Sequence, residues 1–193
     1  MRTFIAIDLS EDIKGALARV QSHLIYSGSD VKWVKPDNAH LTLKFLGEVG
    51  EDRIPEIGSV LDLVGKDTAP FKISLKGIGA FPEIDYPRVL WIGIDDGKDQ
   101  LKALAEKIDA GLSNIGFAKE SRPFVAHLTL GKVRSPKNKA VLKDKILSIP
   151  PQSTICEAQS VSSIVLFKST LAPAGSIYTR IKEPLLYGRS PAE

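Results

Sequence analysis

His40-Leu41-Thr42-Leu43 recurs, letter for letter, as His127-Leu128-Thr129-Leu130, and two of the three histidines in the chain open this tetrapeptide. By ordinary residue frequencies a given histidine precedes L-T-L on the order of one time in a thousand or less, so chance explains the pair poorly. On a β-strand, residues two apart share a face. Each histidine therefore stands beside its threonine, while the leucines point the other way into a core. Two such strands facing one another would gather two imidazoles and two hydroxyls around one small cleft, a setting suited to a phosphate.

The separation of the histidines, 87 residues (127 minus 40), recurs elsewhere, since Phe4-Ile5-Ala6-Ile7-Asp8 precedes Trp91-Ile92-Gly93-Ile94-Asp95 by the same interval. Each of these alone is generic strand sequence, but an offset shared with an identical tetrapeptide marks an internal duplication. The repeats are expected over residues 1–87 and 88–174, with a C-terminal strand and tail at 175–193, all in one bilobal domain of residues 1–193. Two copies of a unit pack most simply about a pseudo-twofold axis, which would set the two H-L-T-L strands face to face.

Working outward, Phe4 to Ile7 reads as a strand. Ser10-Glu11-Asp12 then starts a helix carrying Ile13, Leu17, Val20 and Leu24 at helical spacing. Val31 to Val34 is a short strand before the turn residues Pro36-Asp37-Asn38. Ile54, Ile57, Leu61 and Val64 mark a second helix, with Pro55 tolerable only in its first turn. Phe71 to Leu75 and Val89 to Ile94 alternate as strands, and Leu101, Leu104, Ala105, Ile108 and Leu112 form the stripe of a third helix that Gly116 closes. The second H-L-T-L strand is expected over Phe124 to Val133. Ser135-Pro136 predicts the start of a fourth helix, and Pro150-Pro151 its stop. Ser162 to Phe167 and Ile177 to Ile181 are the last predicted strands.

With 193 residues, 43% of them hydrophobic, the chain can bury a substantial core. A net charge of +3 permits a polyanionic partner without demanding one. The single cysteine, Cys156, excludes an internal disulfide and a thiolate-cluster metal site, and fits a reducing, cytoplasmic setting. The apolar run at the N-terminus meets Asp8 too soon for a signal peptide, and no segment approaches a membrane span in length. A soluble, cytoplasmic monomer that does not engage membranes is expected.

Phosphodiester hydrolysis needs one group to take a proton from attacking water and another to protonate the departing oxygen. With ordinary pKa values near 6.5, one imidazole can be neutral and its partner protonated at neutral pH, so base and acid coexist without a metal. Threonine hydroxyls on the same face can donate to the non-bridging oxygens. No carboxylate cluster or C-x-x-C accompanies the histidines, and neither GxxxxGK[ST] nor GxGxxG occurs, so no metal, nucleotide or other cofactor is expected. A strand histidine beside a threonine is, taken singly, more often a satisfied half-buried residue than a catalyst. Two related by duplication shift the odds strongly. His23 reads as a surface residue of the first helix, and Trp33 and Trp91 as core or cleft-wall aromatics.

Lys32 to Val49, K-W-V-K-P-D-N-A-H-L-T-L-K-F-L-G-E-V, resembles the signature of the 2H phosphoesterases, and within them that of the RNA 2′,3′-cyclic phosphodiesterases, also called 2′-5′ RNA ligases. Arg122 to Val133, R-P-F-V-A-H-L-T-L-G-K-V, resembles the second signature. The likeness implies an α+β fold, a bilobal internal duplication with two antiparallel β-sheets lining a central cleft and helices on the outside. It implies metal- and ATP-independent opening of a terminal 2′,3′-cyclic phosphate to a 2′-phosphate on RNA ends, tRNA fragments among them, with 2′-5′ ligation as the reverse reaction. The acid would be His40, at the 3′ oxygen, and the water-activating base His127. Thr42 and Thr129 would hold the phosphate. Where the family commonly has proline and arginine, this chain has Ala126 and Lys132. Lysine keeps the charge without the bidentate fork.

Lys132 has odd parity relative to His127, so on a regular strand it points away from the histidine. Contact with phosphate therefore requires the strand to bulge or end near Gly131. From Lys132 to Lys145 six basic residues (Lys132, Arg134, Lys137, Lys139, Lys143, Lys145) stand against one acid, Asp144. They read equally well as an RNA track and, for those on the helix, as a solvated face. Other readings keep the site with a small cyclic nucleotide phosphate or 2′-5′ oligoadenylate as substrate, or make the chain a non-catalytic RNA-end binder.

Overall fold

In the computed structural model of the protein, which describes residues 1–150, 154–173 and 175–189, the chain forms two antiparallel sheets and four α-helices. Strands β1 (Arg2–Asp8), β3 (His40–Glu48), β8 (Val165–Ala172) and β9 (Gly175–Lys182) build one sheet in the order β3-β1-β8-β9. Strands β2 (Val31–Trp33), β4 (Phe71–Phe81), β5 (Val89–Ile94), β6 (His127–Val133) and β7 (Thr154–Val161) build the other in the order β2-β6-β5-β4-β7. The two sheets line the central cleft of a bilobal α+β fold.

The helices are α1 (Glu11–Ile25), α2 (Ile54–Lys66), α3 (Lys98–Ser113) and α4 (Lys139–Leu147). Ser10 caps α1, its Oγ accepting from the Ile13 amide at 3.3 Å. The apolar stripes of all four enter one core with the leucines of both H-L-T-L segments, Leu41, Leu43, Leu128 and Leu130. Helix α1 follows a strand of the four-stranded sheet but packs against β7 of the other. Its buried Gln21 donates to the Leu130 carbonyl at 2.9 Å and the Val34 carbonyl at 2.7 Å. Helix α3 crosses the opposite way to β3. Strands are exchanged too: β4 closes the first repeat yet pairs with β5, and β8 pairs with β1. Each repeat thus contributes strands that pair with those of the other.

Several elements differ from the sequence expectation, β8 among them, which runs over Val165–Ala172 instead of Ser162 to Phe167. β4 continues past Leu75 to Phe81 through a bulge at Gly77, whose φ of 69° a side chain would disfavour. Helix α4 starts after Asn138 rather than at Ser135-Pro136. Asn138 takes the left-handed conformation, φ 53°, that asparagine tolerates, and its side chain donates to the carbonyls of Ser27 and Gly28 at 3.1 Å. A tertiary tie thus overrides the local signal. β7, an edge strand carrying Gln159 and Ser160, lacks the apolar alternation that would announce it. Pro151 lies outside the described residues, as does Ala174 in the connection between the last strands.

Candidate active site

His40 and His127 each open a strand, and β3 and β6 come into contact between the sheets. Both rings are fixed in the same way. His40 Nδ1 lies 2.9 Å from the Asn38 carbonyl and His127 Nδ1 lies 2.7 Å from the Val125 carbonyl. A carbonyl only accepts, so Nδ1 carries the proton in each case and Nε2 is left free to exchange one. These carbonyls are available because neither residue lies in a ladder. This is why β6 begins at His127 instead of Phe124.

Each imidazole also meets an aromatic edge-on. Tyr178 of β9 stands 5.0 Å from His40 with the ring planes at 87°, and Phe81 of β4 stands 5.0 Å from His127 at 90°. On the His40 side, Phe4, Ala6, Val165 and Phe167 form a small second core, with Phe4 4.6 Å from the imidazole. Burial there pushes the His40 pKa below its ordinary value, against smaller opposing effects of the Asn38 carbonyl and the Asp8 carboxylate. Asp8 sits directly across the ladder from His40 and is held by an ion pair to Arg180 of β9. The sequence carried no signal for Tyr178 or Phe81, which reach the histidines through strand exchange, nor for Arg180, which reaches Asp8.

The threonines are half-buried beside their histidines: Thr42 faces Ala6 across the ladder, and Thr129 faces Trp91. Trp91 is half-buried, and it lies so close over β4 that a Cβ on Gly79 would fall 2.2 Å from its ring. Trp33 packs against the main core, and His23 is half-buried on α1, touching Ser148 Oγ at 3.1 Å.

Beyond each threonine the strand bulges at the same place. In β3 the register skips Leu43 between Thr42 and Lys44; in β6 it skips Leu130 between Thr129 and Gly131. The extra residue resets parity, so Leu43 with Lys44, and Leu130 with Gly131, are all buried. Lys132 is returned to the face of His127 and Thr129, exposed, and Phe45 to the face of His40 and Thr42, 62% exposed. Lys44, driven inward, is 4% exposed and bonds Asp109 Oδ1 at 2.6 Å and the Ala118 carbonyl at 2.9 Å, with Glu120 at 3.7 Å. That network fastens β3 to α3.

Two sheets that line a cleft, each carrying an H-x-T strand, mark a phosphoesterase of the 2H class. The model of the LigT like Phosphoesterase family matches the chain twice, over residues 7–91 and 92–178, and the protein belongs to that family. It is 44% identical over 183 residues to an RNA 2′,3′-cyclic phosphodiesterase of Methanocaldococcus jannaschii, covering 95% of this chain and 99% of that one. It is 37% identical to one of Methanothermobacter thermautotrophicus, covering 93% and 95%. Among crystal structures, a protein of Thermus thermophilus superposes with a TM-score of 0.82 at 28% identity, covering 98% of this chain and 100% of the other. LigT of E. coli in apo form superposes at 0.72 with 27% identity, covering 95% and 96%. No helix among the described residues is long and apolar enough to cross a membrane.

Proposed function

We propose that the protein is a metal- and ATP-independent cyclic phosphodiesterase that opens the 2′,3′-cyclic phosphate at RNA ends, tRNA fragments among them, leaving a 2′-phosphate. The observation that carries this is the matched pair of histidines. Each has Nδ1 committed to a backbone carbonyl and Nε2 left to exchange a proton, in a chain whose relatives bear the name of this activity. His127 takes a proton from water as the water oxygen bonds to phosphorus. The bond from phosphorus to the 3′ oxygen breaks, and His40 delivers a proton to that oxygen. Thr42 and Thr129 donate to the non-bridging oxygens, and Lys132 adds a point charge from the cleft edge. Burial lowers the His40 pKa in the free protein, and an anionic phosphate beside it favours the imidazolium that the acid role requires.

A 5′-hydroxyl in place of water would leave a 2′-5′ linkage by the same proton movements. One chain supplies both H-x-T strands, so a monomer, folded as the single bilobal domain of residues 1–193, suffices. Among the described residues no three side chains of His, Cys, Asp or Glu converge as a metal site would require. The test is the product: an oligoribonucleotide ending in a 2′,3′-cyclic phosphate should yield only the 2′-phosphate. A 3′-phosphate product would place the acid at the wrong oxygen and overturn the assignment.

A further inference from the structure

β2, at the edge of the five-stranded sheet, pairs among the described residues with β6 alone, and its register sets Lys32 directly opposite Lys132. Both are exposed, and neither forms an ion pair among the described residues. Like charges directly across a ladder repel. A fold that gains nothing from such a pair keeps two cations aimed at the same space.

The remaining basic residues nearby divide by what they touch. Lys143 bonds Asp85 at 2.6 Å and Lys139 lies 3.8 Å over the ring of Tyr86, so these two fasten α4 to the turn before β5. Two cations of the helix are thus spent on structure, whereas those of Lys32 and Lys132 on the strands are not.

Side-chain direction places that charge on the cleft side. Val31 and Trp33 pack against the main core, and a Cβ on Gly131 would meet Val31 Cγ1 at 2.7 Å and Trp33 Cε3 at 3.1 Å. Gly131 thus shares the core face with both. Lys32 and Lys132, one residue along on either strand, share the opposite face, which the bulge at Leu130 makes the face of His127 and Thr129. Along β6, Lys132 stands five residues from His127, up to ~16 Å at ~3.3 Å per residue. That distance suits a phosphate beyond the one at the histidines.

We infer that Lys32 and Lys132 form a subsite for the phosphodiester joining the last two nucleotides of the substrate, which makes an RNA end, not a free nucleotide, the preferred substrate. The inference rests on the reading proposed above. A 2′,3′-cyclic phosphate closes the 3′ end of its strand, so every other phosphodiester lies to one side of it. A cationic pair on one edge of the cleft meets the first of them.

The test compares kcat/KM on adenosine 2′,3′-cyclic phosphate with that on the dinucleotide ApA ending in the same cyclic phosphate. The wild-type protein should prefer the dinucleotide. In Lys32→Met the ratio of dinucleotide to mononucleotide should fall about fivefold, the upper range for one exposed charge pair. The log-log salt slope on the dinucleotide should shrink by about 0.7. Thermal stability should hold or rise, since a repulsion is removed, whereas a structural role for Lys32 would lower it. Intact mononucleotide turnover with an unchanged ratio in Lys32→Met would overturn this inference alone. Failure of the wild-type protein on both substrates would overturn the proposed function and the subsite with it.

Discussion

Tyr178 stands edge-on to His40 at 5.0 Å and, with Phe4 at 4.6 Å on the same imidazole, covers part of its half-buried ring. Burial accordingly lowers the His40 pKa, so between the folded and the ordinary value the unfolded chain binds more protons than the native one. Native stability must then fall as pH drops through the ordinary histidine value of about 6.5 toward the lower folded value. Urea denaturation between about pH 8 and about pH 5 should show this loss. His40→Gln should lack that component; an identical profile would show that His40 does not carry it.

Opening the aromatic wall should reverse the shift. In Tyr178→Ala the His40 imidazole gains water, and its pKa, followed by NMR titration of the ring protons, should rise toward the ordinary value. A static His40 titration in the variant would mean that Phe4 and Phe167 alone set its desolvation.

The threonines should matter less than the histidines. Removing a hydrogen bond to a charged group costs about 1.5–3 kcal/mol, so Thr42→Val and Thr129→Val should each lower kcat about 10- to 100-fold. Steady-state kinetics with the fold checked by circular dichroism reads this. Undiminished kcat in either variant would remove that hydroxyl from the phosphate site.

Lys44 and Asp109 tie the bulged strand to α3. Removing the carboxylate strands a buried ammonium, although the Ala118 carbonyl and Glu120 remain to it. Asp109→Ala should cost about 2 kcal/mol of unfolding free energy. Lys44→Met, which removes the charge as well, should cost less. The reverse order in chemical denaturation would mean that the lysine stem, rather than its charge, carries the packing.

The H-x-T strands were legible because a two-residue period and a repeated tetrapeptide are local facts, and the helices because their stripes run at 3.6 residues. What surrounds the histidines was not. Tyr178 and Phe81 reach them through strands exchanged between the repeats, a pairing that no spacing within one repeat encodes. The bulge at Leu130 could be anticipated from the glycine after it, but its twin at Leu43 precedes Lys44, whose burial reads from sequence as an error until Asp109 is placed beside it. Asn138 likewise starts α4 through carbonyls on the distant turn at Ser27 and Gly28.

The most direct test of the two-histidine mechanism is turnover of an oligoribonucleotide ending in a 2′,3′-cyclic phosphate, with EDTA present and no nucleotide added, by the wild-type protein, His40→Ala, His127→Ala and the double variant. The wild-type protein should be fully active. Each single variant should lose about 100- to 10,000-fold, and the double variant should be little worse, because either loss stalls the same proton cycle. Loss of wild-type activity in EDTA, or full activity in either single variant, would contradict the mechanism.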